Sequence, residues 1–287
     1  MNRGMLLSSV WRKFSLIALI SCPALNAHSR PLAMRSIPGQ TIRPGASIDE
    51  LLIANTRCER RRQKDSSTAS CSLEKLSIER HRTPPRKIKA FYLDRTEVSR
   101  AAYLQCSRSF KCRAPKRSWG DVRGTSKDPV VNISYYDALN FCRFRHARLP
   151  SEAEYELAAR GSSHRLYPWG NFYRAGVANV GRHGLAQTDS KDGFELLAPV
   201  DSFFVGATPQ GVLNLAGNAA EWTSTSYGHP HAQKGNFSVV TLQVVKGGDY
   251  QSSPLELRAT ARRGYPPELR SPRVGFRCAR PIKKIGF

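Results

Sequence analysis

The chain has 287 residues, 40% of them hydrophobic, and its 45 lysines and arginines against 22 aspartates and glutamates give a formal net charge of +23. This composition excludes a wholly disordered chain, and the mean hydropathy of −0.45 excludes a polytopic membrane protein. The length suits one large domain or two small ones, and the charge favours an anionic partner: a nucleic acid, an anionic surface or an acidic substrate.

Residues 1–27 are predicted to be an export signal. Basic residues come first, and the apolar run 14–21 follows, too short to span a bilayer but typical of a secretory signal. Two alternative cleavage sites at the end of this signal remain open. An ordinary signal peptidase would cut after small residues such as Ala24 or Ala27, whereas a lipobox would end at Cys22, which would then be lipidated.

Export places the remaining cysteines in an oxidising compartment, where an even number favours disulfides. They are Cys58, Cys71, Cys106, Cys112, Cys142 and Cys278. Many connectivities are open, and pairing of nearest neighbours favours Cys58–Cys71 and Cys106–Cys112, which leaves Cys142–Cys278 as a long-range link. Metal thiolates are disfavoured because no Cys-x-x-Cys pair occurs.

Residues 28–85 are predicted to form a basic tether that is partly disordered, because prolines and glycines interrupt it and a charged stretch without periodicity follows. Within it, residues 48–55 could form one short helix. Thr83-Pro84 marks an extended boundary, since the residue before a proline avoids the helical region. A globular domain is predicted over residues 86–287.

The globular part begins with an alternating stretch, residues 88–93, that predicts a strand, and residues 239–246 predict another. Three helices are predicted: over residues 97–106, after the cap Ser134, and from Ser151 with its capping-box Glu154 to Gly161. The candidate inner residues of the first helix are Val98, Ala101, Ala102 and Leu104. Elsewhere the chain is rich in Gly, Pro, Asn and aromatic residues.

One segment, residues 148–161 (Arg-Leu-Pro-Ser-Glu-Ala-Glu-Tyr-Glu-Leu-Ala-Ala-Arg-Gly), closely resembles the signature helix of the formylglycine-generating enzyme (sulfatase-modifying factor) family. Further matches occur in the family's order, at residues 97–99, 129–138, 167–171, 199–203, 214–222, 247–250 and 275–280. The resemblance implies an α+β, C-type-lectin-like fold with few helices, short strands and much irregular backbone.

Several residues of these motifs are predicted to be structural. Glu152, Glu154 and Glu156 are expected on a solvated helix face, where Arg148 and Arg160 could pair with them. The core aromatic residues are expected to be Trp169, Trp222 and Phe276. Arg277 and Arg280 are expected to support the fold rather than bind a ligand.

The resemblance also implies structural calcium, which prefers carboxylate, amide and carbonyl oxygens. The positions that match the family's first site are Asn179, Val180, Asp192 and Phe194. The positions that match its second site are Asn214, Gly217, Ala219 and Glu221. From the residues alone, Asn and Asp in such loops are more typical of local turns.

The family's oxidases convert a substrate cysteine to formylglycine with a copper(I)-binding cysteine pair that follows the Gly-Gly motif. Here residues 247–258 contain no cysteine: Ser252 stands at the first position, and Pro254 or Leu257 at the second. The resemblance assigns Cys142–Cys278 to a structural disulfide. No catalytic residue is therefore predicted, and copper is not expected. His229-Pro-His231 is interpreted as a surface loop, since no third metal ligand is evident.

These observations favour an extracytoplasmic, non-catalytic binding or scaffolding module. Its predicted partner is an anionic cell-envelope polymer or an acidic protein, with no nucleic acid and with membrane contact only through an N-terminal lipid anchor. A divergent enzyme that uses the same cleft is the first alternative, because a fold does not determine a function. An active formylglycine-generating oxidase is the second.

Overall fold

The computed structural model describes residues 33–65, 84–116, 124–181, 190–228 and 241–282. Its helices are α1 (Ile48–Asp65), α2 (Arg100–Arg108), α3 (Tyr135–Phe144) and α4 (Glu152–Arg160). Its strands are β1 (Met34–Ile37), β2 (Gln40–Ile42), β3 (Arg86–Ile88), β4 (Phe91–Asp94), β5 (Ala220–Ser226), β6 (Gln243–Lys246), β7 (Arg263–Tyr265), β8 (Val274–Gly275) and β9 (Ala279–Pro281). Short strands, few helices and long irregular stretches confirm the predicted α+β class.

The strands form three small sheets. Their orders are β1-β4-β9, β2-β3 and β7-β6-β5-β8, and every pair is antiparallel except β5 with β8. The predicted strand over residues 88–93 is interrupted after Ile88, so that it contributes to two sheets. Strand β6 begins at Gln243, later than predicted, and all four of its residues are buried.

In its described part, the predicted tether over residues 28–85 is folded against the domain. The helix expected at residues 48–55 forms as the start of α1, which continues to Asp65. Strand β1 pairs with β4, and β2 pairs with β3, in one continuous register from Met34↔Asp94 to Gln40↔Ile88. Ile37 and Ile42 are 2% and 6% exposed and belong to the same apolar cluster as Phe91. Two isolated isoleucines among prolines and glycines carry little periodicity, and only their distant partners show that they are core residues. Residues 66–83 lie outside the described part.

Local capping was predicted correctly. Ser134 and Ser151 cap α3 and α4, each within a complete capping box, and α4 ends at Gly161. Helix α2 instead begins after Ser99, three residues later than predicted. Its buried residues are Tyr103 and Cys106. Of the predicted inner residues, Val98 is buried and Ala102 is half-buried against the core, whereas Ala101 and Leu104 are exposed. Tyr103 and Cys106, three positions apart, define the inner face of α2, and Ala101 and Leu104 lie outside it.

The main apolar cluster lies between α2, α3 and β5. Trp222 and Phe276 are fully buried in it, as predicted, whereas Trp169 is half-buried against another cluster. The disulfide Cys142–Cys278 crosses this core and Cys106–Cys112 closes a loop after α2, which confirms both pairings. Cys71 lies outside the described residues, so its pairing with Cys58 stays a prediction.

Candidate functional site

The segment Asp249–Arg258 holds the positions at which the resemblance places the oxidase cysteines. It follows β6 through Gly247 and Gly248, whose φ angles of 91° and 68° lie in the left-handed region that glycine adopts at no steric cost. A Cβ on Gly247 would lie 2.5 Å from Oη of Tyr155. The two glycines therefore let the backbone turn sharply against the core.

At the first oxidase position, Ser252 is 2% exposed and its Oγ accepts the backbone N–H of Asp249 at 3.0 Å. Arg263 donates to the same Oγ at 3.2 Å and to the Asp249 carboxylate at 3.1 Å. It also pairs with Glu256. The two nearest carboxylates, Asp249 and Glu256, are both paired with Arg263, and neither accepts a hydrogen bond from the serine hydroxyl among the described residues, so Ser252 lacks the base contact that would activate it as a nucleophile.

The alternative second positions are also closed. The carbonyl of Pro254 accepts the Tyr167 hydroxyl at 3.1 Å. Leu257 is fully buried and packs in one cluster with Tyr167 and Ala216. Segment 249–258 therefore forms a packed surface rather than an open cleft with convergent polar groups.

A fully buried ionic centre lies below this segment, between Arg277 and Glu221. Both side chains are 0% exposed, and two guanidinium nitrogens of Arg277 each donate at 2.7 Å to one oxygen of Glu221. Arg277 also donates to the carbonyls of Leu213 and Asn214. Such complete pairing supports the prediction that Arg277 stabilises the fold. Arg280, by contrast, is exposed and lies over the ring of Tyr92.

Glu97 belongs to the same centre. Its two oxygens accept the side-chain amides of Asn214 and Asn218 at 3.0 and 2.9 Å, and it lies 4.0 Å from Arg277. Burial raises the pKa of Glu97 to about 7, against the opposing charge of Arg277. Sequence reasoning missed this residue as part of a site, because its partners lie more than a hundred positions away.

The first predicted calcium set is brought together by the fold. The Asp192 carboxylate accepts the backbone N–H of Val180 at 2.7 Å and that of Phe194 at 3.1 Å. The Asn179 side chain is buried, its amide donates to Leu196, and its Oδ1 has no hydrogen-bond partner. An unsatisfied buried oxygen is costly unless something binds it. The set therefore fits a hard cation.

The second predicted set is arranged differently. Asn214, Gly217, Ala219 and Glu221 lie along one loop and strand, but both Glu221 oxygens already accept Arg277. The Asn214 amide is engaged by Glu97. A guanidinium thus supplies the positive charge that a calcium ion would bring, and this set does not fit a metal in this arrangement.

The glutamates of α4 do not lie on a solvated face, contrary to the prediction. Glu154 and Glu156 are 8% and 2% exposed. Arg148 binds Glu154 through two nitrogens, and Arg160 pairs with Glu156 at 3.1 Å. The pairing was predicted; the burial was not, because it depends on the packing of α4 against β5 and β6.

An open pocket of about 250 Å³ lies beside the start of α2. Its polar lining includes Arg95, Ser99, Lys127 and Asp201, and none of the predicted site residues contributes to it. The Nε of Arg95 is buried and makes no hydrogen bond, while its guanidinium lies over the ring of Phe204. This pocket could accept a small anionic group. Two of the family motifs, residues 97–99 and 199–203, contribute Ser99, Val200 and Asp201 to its lining, but the sequence analysis did not indicate that they meet there.

The fold and motif geometry define a formylglycine-generating-enzyme-like domain. The family model described as "Sulfatase-modifying factor enzyme 1-like domain" matches residues 58–282, so the chain belongs to this family. Two solved structures share its fold: PvdO from Pseudomonas aeruginosa (TM-score 0.61, 21% identity, 87% of this chain and 94% of that one) and CarF (TM-score 0.59, 18% identity, 88% and 99%).

The curated relatives include proteins named as active and as inactive. The "Inactive C-alpha-formylglycine-generating enzyme 2" of Mus musculus is 34% identical over 177 residues, 58% of this chain and 54% of that protein. The "Formylglycine-generating enzyme" of Mus musculus is 34% identical over 181 residues, 58% and 48%. That of Streptomyces coelicolor is 35% identical over 182 residues, 58% and 57%. The chain spans about half the length of these relatives, and identity alone does not separate the two kinds.

Two further properties of the described part concern membranes and metal ions. No helix of the described part is long and apolar enough to cross a membrane. Across the same ranges, no group of three or more His, Cys, Asp and Glu side chains is arranged to hold a metal ion. The first calcium set does not need such a group, since it combines one carboxylate with an amide and two carbonyl oxygens. His229 and His231 lie outside the described residues.

Proposed function

We propose that this protein is an exported, non-catalytic member of the family that acts as a binding or scaffolding module. The observation that carries the proposal is the closed surface at segment 249–258, where the positions of the oxidase cysteines hold Ser252 and Pro254 or Leu257. Copper(I) requires soft thiolate ligands. No cysteine occurs between Cys142 and Cys278, and those two are joined to each other.

The compartment and the partner follow from other features. Two disulfides in the described part support an extracytoplasmic location, since such bonds persist in oxidising compartments. A net charge of +23 supports an anionic partner, which we take to be a cell-envelope polymer or an acidic protein. A divergent enzyme is the second candidate, and the pocket beside Arg95 favours it, because that pocket is open where segment 249–258 is closed.

The decisive experiment is an oxidation assay. The full chain is loaded with copper(I), mixed with a cysteine-containing sulfatase-type peptide, and the peptide is analysed by mass spectrometry for aldehyde formation. The Streptomyces coelicolor relative serves as the positive control. We expect no aldehyde and no tight copper(I) binding by this chain. Aldehyde formation above the copper-only background would overturn the non-catalytic proposal.

We further propose that calcium binds at the first set and pins the loop between Asn179 and Phe194. A ligand that binds only the folded state raises Tm in proportion to the logarithm of its concentration. We expect calcium to raise Tm of the wild type and a chelator to lower it, with no shift in Asp192→Ala. The control Asp201→Asn, an exposed carboxylate elsewhere, should keep the full shift. An equal shift in all three proteins would exclude this site.

A further inference from the structure

The disulfide loop after α2 presents an unusual residue. Phe110 is 97% exposed and has a φ of +56°, in the left-handed region that side chains other than glycine rarely adopt. It follows the helix C-cap Ser109, a position at which glycine is preferred. Phe110 therefore has two unfavourable features, apolar exposure and backbone strain, and its ring has no aromatic or cation contact with a described residue that would offset them.

The loop is rigidly built, so this presentation is a stable property of the fold. The Cys106–Cys112 disulfide closes it. The Phe110 N–H donates to Ser107 O at 3.0 Å, and Lys111 N–H donates to Cys106 O at 3.3 Å. Ser109 Oγ donates to Cys106 O at 2.7 Å. The phenyl ring is thus held out from the surface by covalent and hydrogen-bonded restraints.

Cations surround the ring, and acids are absent from the surrounding sequence. Between Glu97 and Asp121 the chain has no aspartate or glutamate, while it carries Arg100, Arg108, Lys111, Arg113, Lys116 and Arg117. Arg108, Lys111 and Arg113, which flank the ring, are exposed. None of these three forms an ion pair with a described residue. One exposed aromatic side chain, flanked by these three cations, matches an interface that is apolar inside and anionic at its surface.

We propose that the Cys106–Cys112 loop is a docking site for anionic phospholipid membranes, with Phe110 inserted at the level of the headgroups and the flanking cations bound to lipid phosphates. Phenylalanine is typical of the apolar side of interfacial segments, which is buried at the boundary between headgroups and acyl chains, and basic side chains are attracted to anionic leaflets. An acidic protein is the weaker candidate. Stable protein interfaces bury about 800 Å² on each side around an apolar cluster, and this loop offers one large apolar side chain.

The test uses the full chain with Cys22→Ser, so that no lipid can be attached, and vesicles of phosphatidylcholine alone or mixed with phosphatidylglycerol. We expect binding to the mixed vesicles to exceed binding to the neutral ones and to weaken steeply with salt. Phe110→Gly should reduce this excess about tenfold, because a buried apolar side chain is lost. The control Phe172→Ala, at another exposed phenylalanine, should leave it unchanged.

Two triple variants, each lacking three positive charges, distinguish binding by the Cys106–Cys112 loop from attraction to the positive charge of the whole protein. Arg108→Gln, Lys111→Gln and Arg113→Gln together should reduce the excess about a hundredfold, at roughly fivefold per cation. The control replaces Arg43, Lys87 and Lys89, which are exposed near or in the β2–β3 sheet, by glutamine. Equal losses in both triple variants, or an unchanged excess in Phe110→Gly, would overturn the proposal. So would wild-type binding no stronger to the mixed vesicles.

The result of the vesicle-binding experiment does not depend on the result of the oxidation assay. Aldehyde formation would refute the non-catalytic function and leave the membrane site intact. Failure of vesicle binding would remove the loop as a membrane site and leave the anionic polymer or acidic protein as partners of the proposed binding module.

Discussion

Around Arg277 the guanidinium lies against a carboxylate and backbone carbonyls, whereas the loop between Cys106 and Cys112 carries exposed cations without a described acidic partner. Arg277 and Glu221 are both 0% exposed. Phe110 at the loop tip is 97% exposed. The total charge of the chain therefore hides two populations of basic residues. Arg277 completes the fold, whereas Arg108, Lys111 and Arg113 are exposed, have no acidic partner among the described residues and can attract an anionic surface.

The largest expected effect is the loss of stability on removing a disulfide, and it compares the buried core with the surface loop. Removing Cys142–Cys278, which spans 136 positions through the core, should lower the free energy of unfolding by about 5 kcal/mol. Removing Cys106–Cys112, which spans six positions at the surface, should cost about 2 kcal/mol. Paired Cys→Ala variants and denaturant unfolding measure both values. Equal losses would mean that the surface loop is as integral to the fold as the core.

Replacement of the buried cation should have a similar order of effect. Arg277→Met leaves Glu221 and Glu97 buried without their guanidinium, which costs about 4 kcal/mol. Adding Glu221→Gln should recover part of this loss, because one orphaned charge is then removed. Arg280→Met, at an exposed neighbour, should change stability by less than about 0.5 kcal/mol. If Arg277→Met matched Arg280→Met in thermal unfolding, the centre would not be structural.

The burial of Glu154 is intermediate between that of Arg277 and that of Phe110. This residue provides a test of how the free energy of unfolding depends on pH. Burial alone would raise its pKa, but the Arg148 fork and the Ser151 N–H hold it below the usual value. Its contribution is therefore present above the unfolded pKa and is lost as pH falls through the folded one. Glu154→Gln should cost about 1 kcal/mol at neutral pH.

In acid the variant and the wild type should converge. The control Glu268→Gln, an exposed carboxyl on the surface, should follow the wild type throughout. Unfolding measured from neutral to strongly acidic pH gives this comparison. A constant gap between Glu154→Gln and the wild type would show that the charge of Glu154 makes no contribution.

The smallest effect is expected at the loop tip. Phe110→Gly removes backbone strain and an exposed ring, so stability should stay the same or rise by less than about 1 kcal/mol. Leu104→Gly, also at an exposed position but inside α2, should lose about 1 kcal/mol. Urea unfolding of both variants measures the difference. A loss at Phe110 as large as that at Leu104 would show that the ring stabilises the fold.

Sequence reasoning succeeded where the determinants are local. Ser134 and Ser151 cap their helices through groups three residues away, and Cys106 pairs with its nearest neighbour. It failed at Ile37 and Ile42, whose partners in β4 and β3 lie about fifty positions away. It also failed at Glu156, which a helix pattern places at the surface and which packing places in the interior.

The sequence by itself determined the family, the α+β class, the two described disulfides and the absence of a cysteine from residues 247–258, because motifs, spacing and residue identity suffice for these. Only the tertiary structure decided that the oxidase positions are closed, that Arg277 neutralises Glu221 and that Phe110 is presented to solvent. Burial and ion pairing depend on which distant segments meet, and that information is spread over the whole chain rather than written in any one segment.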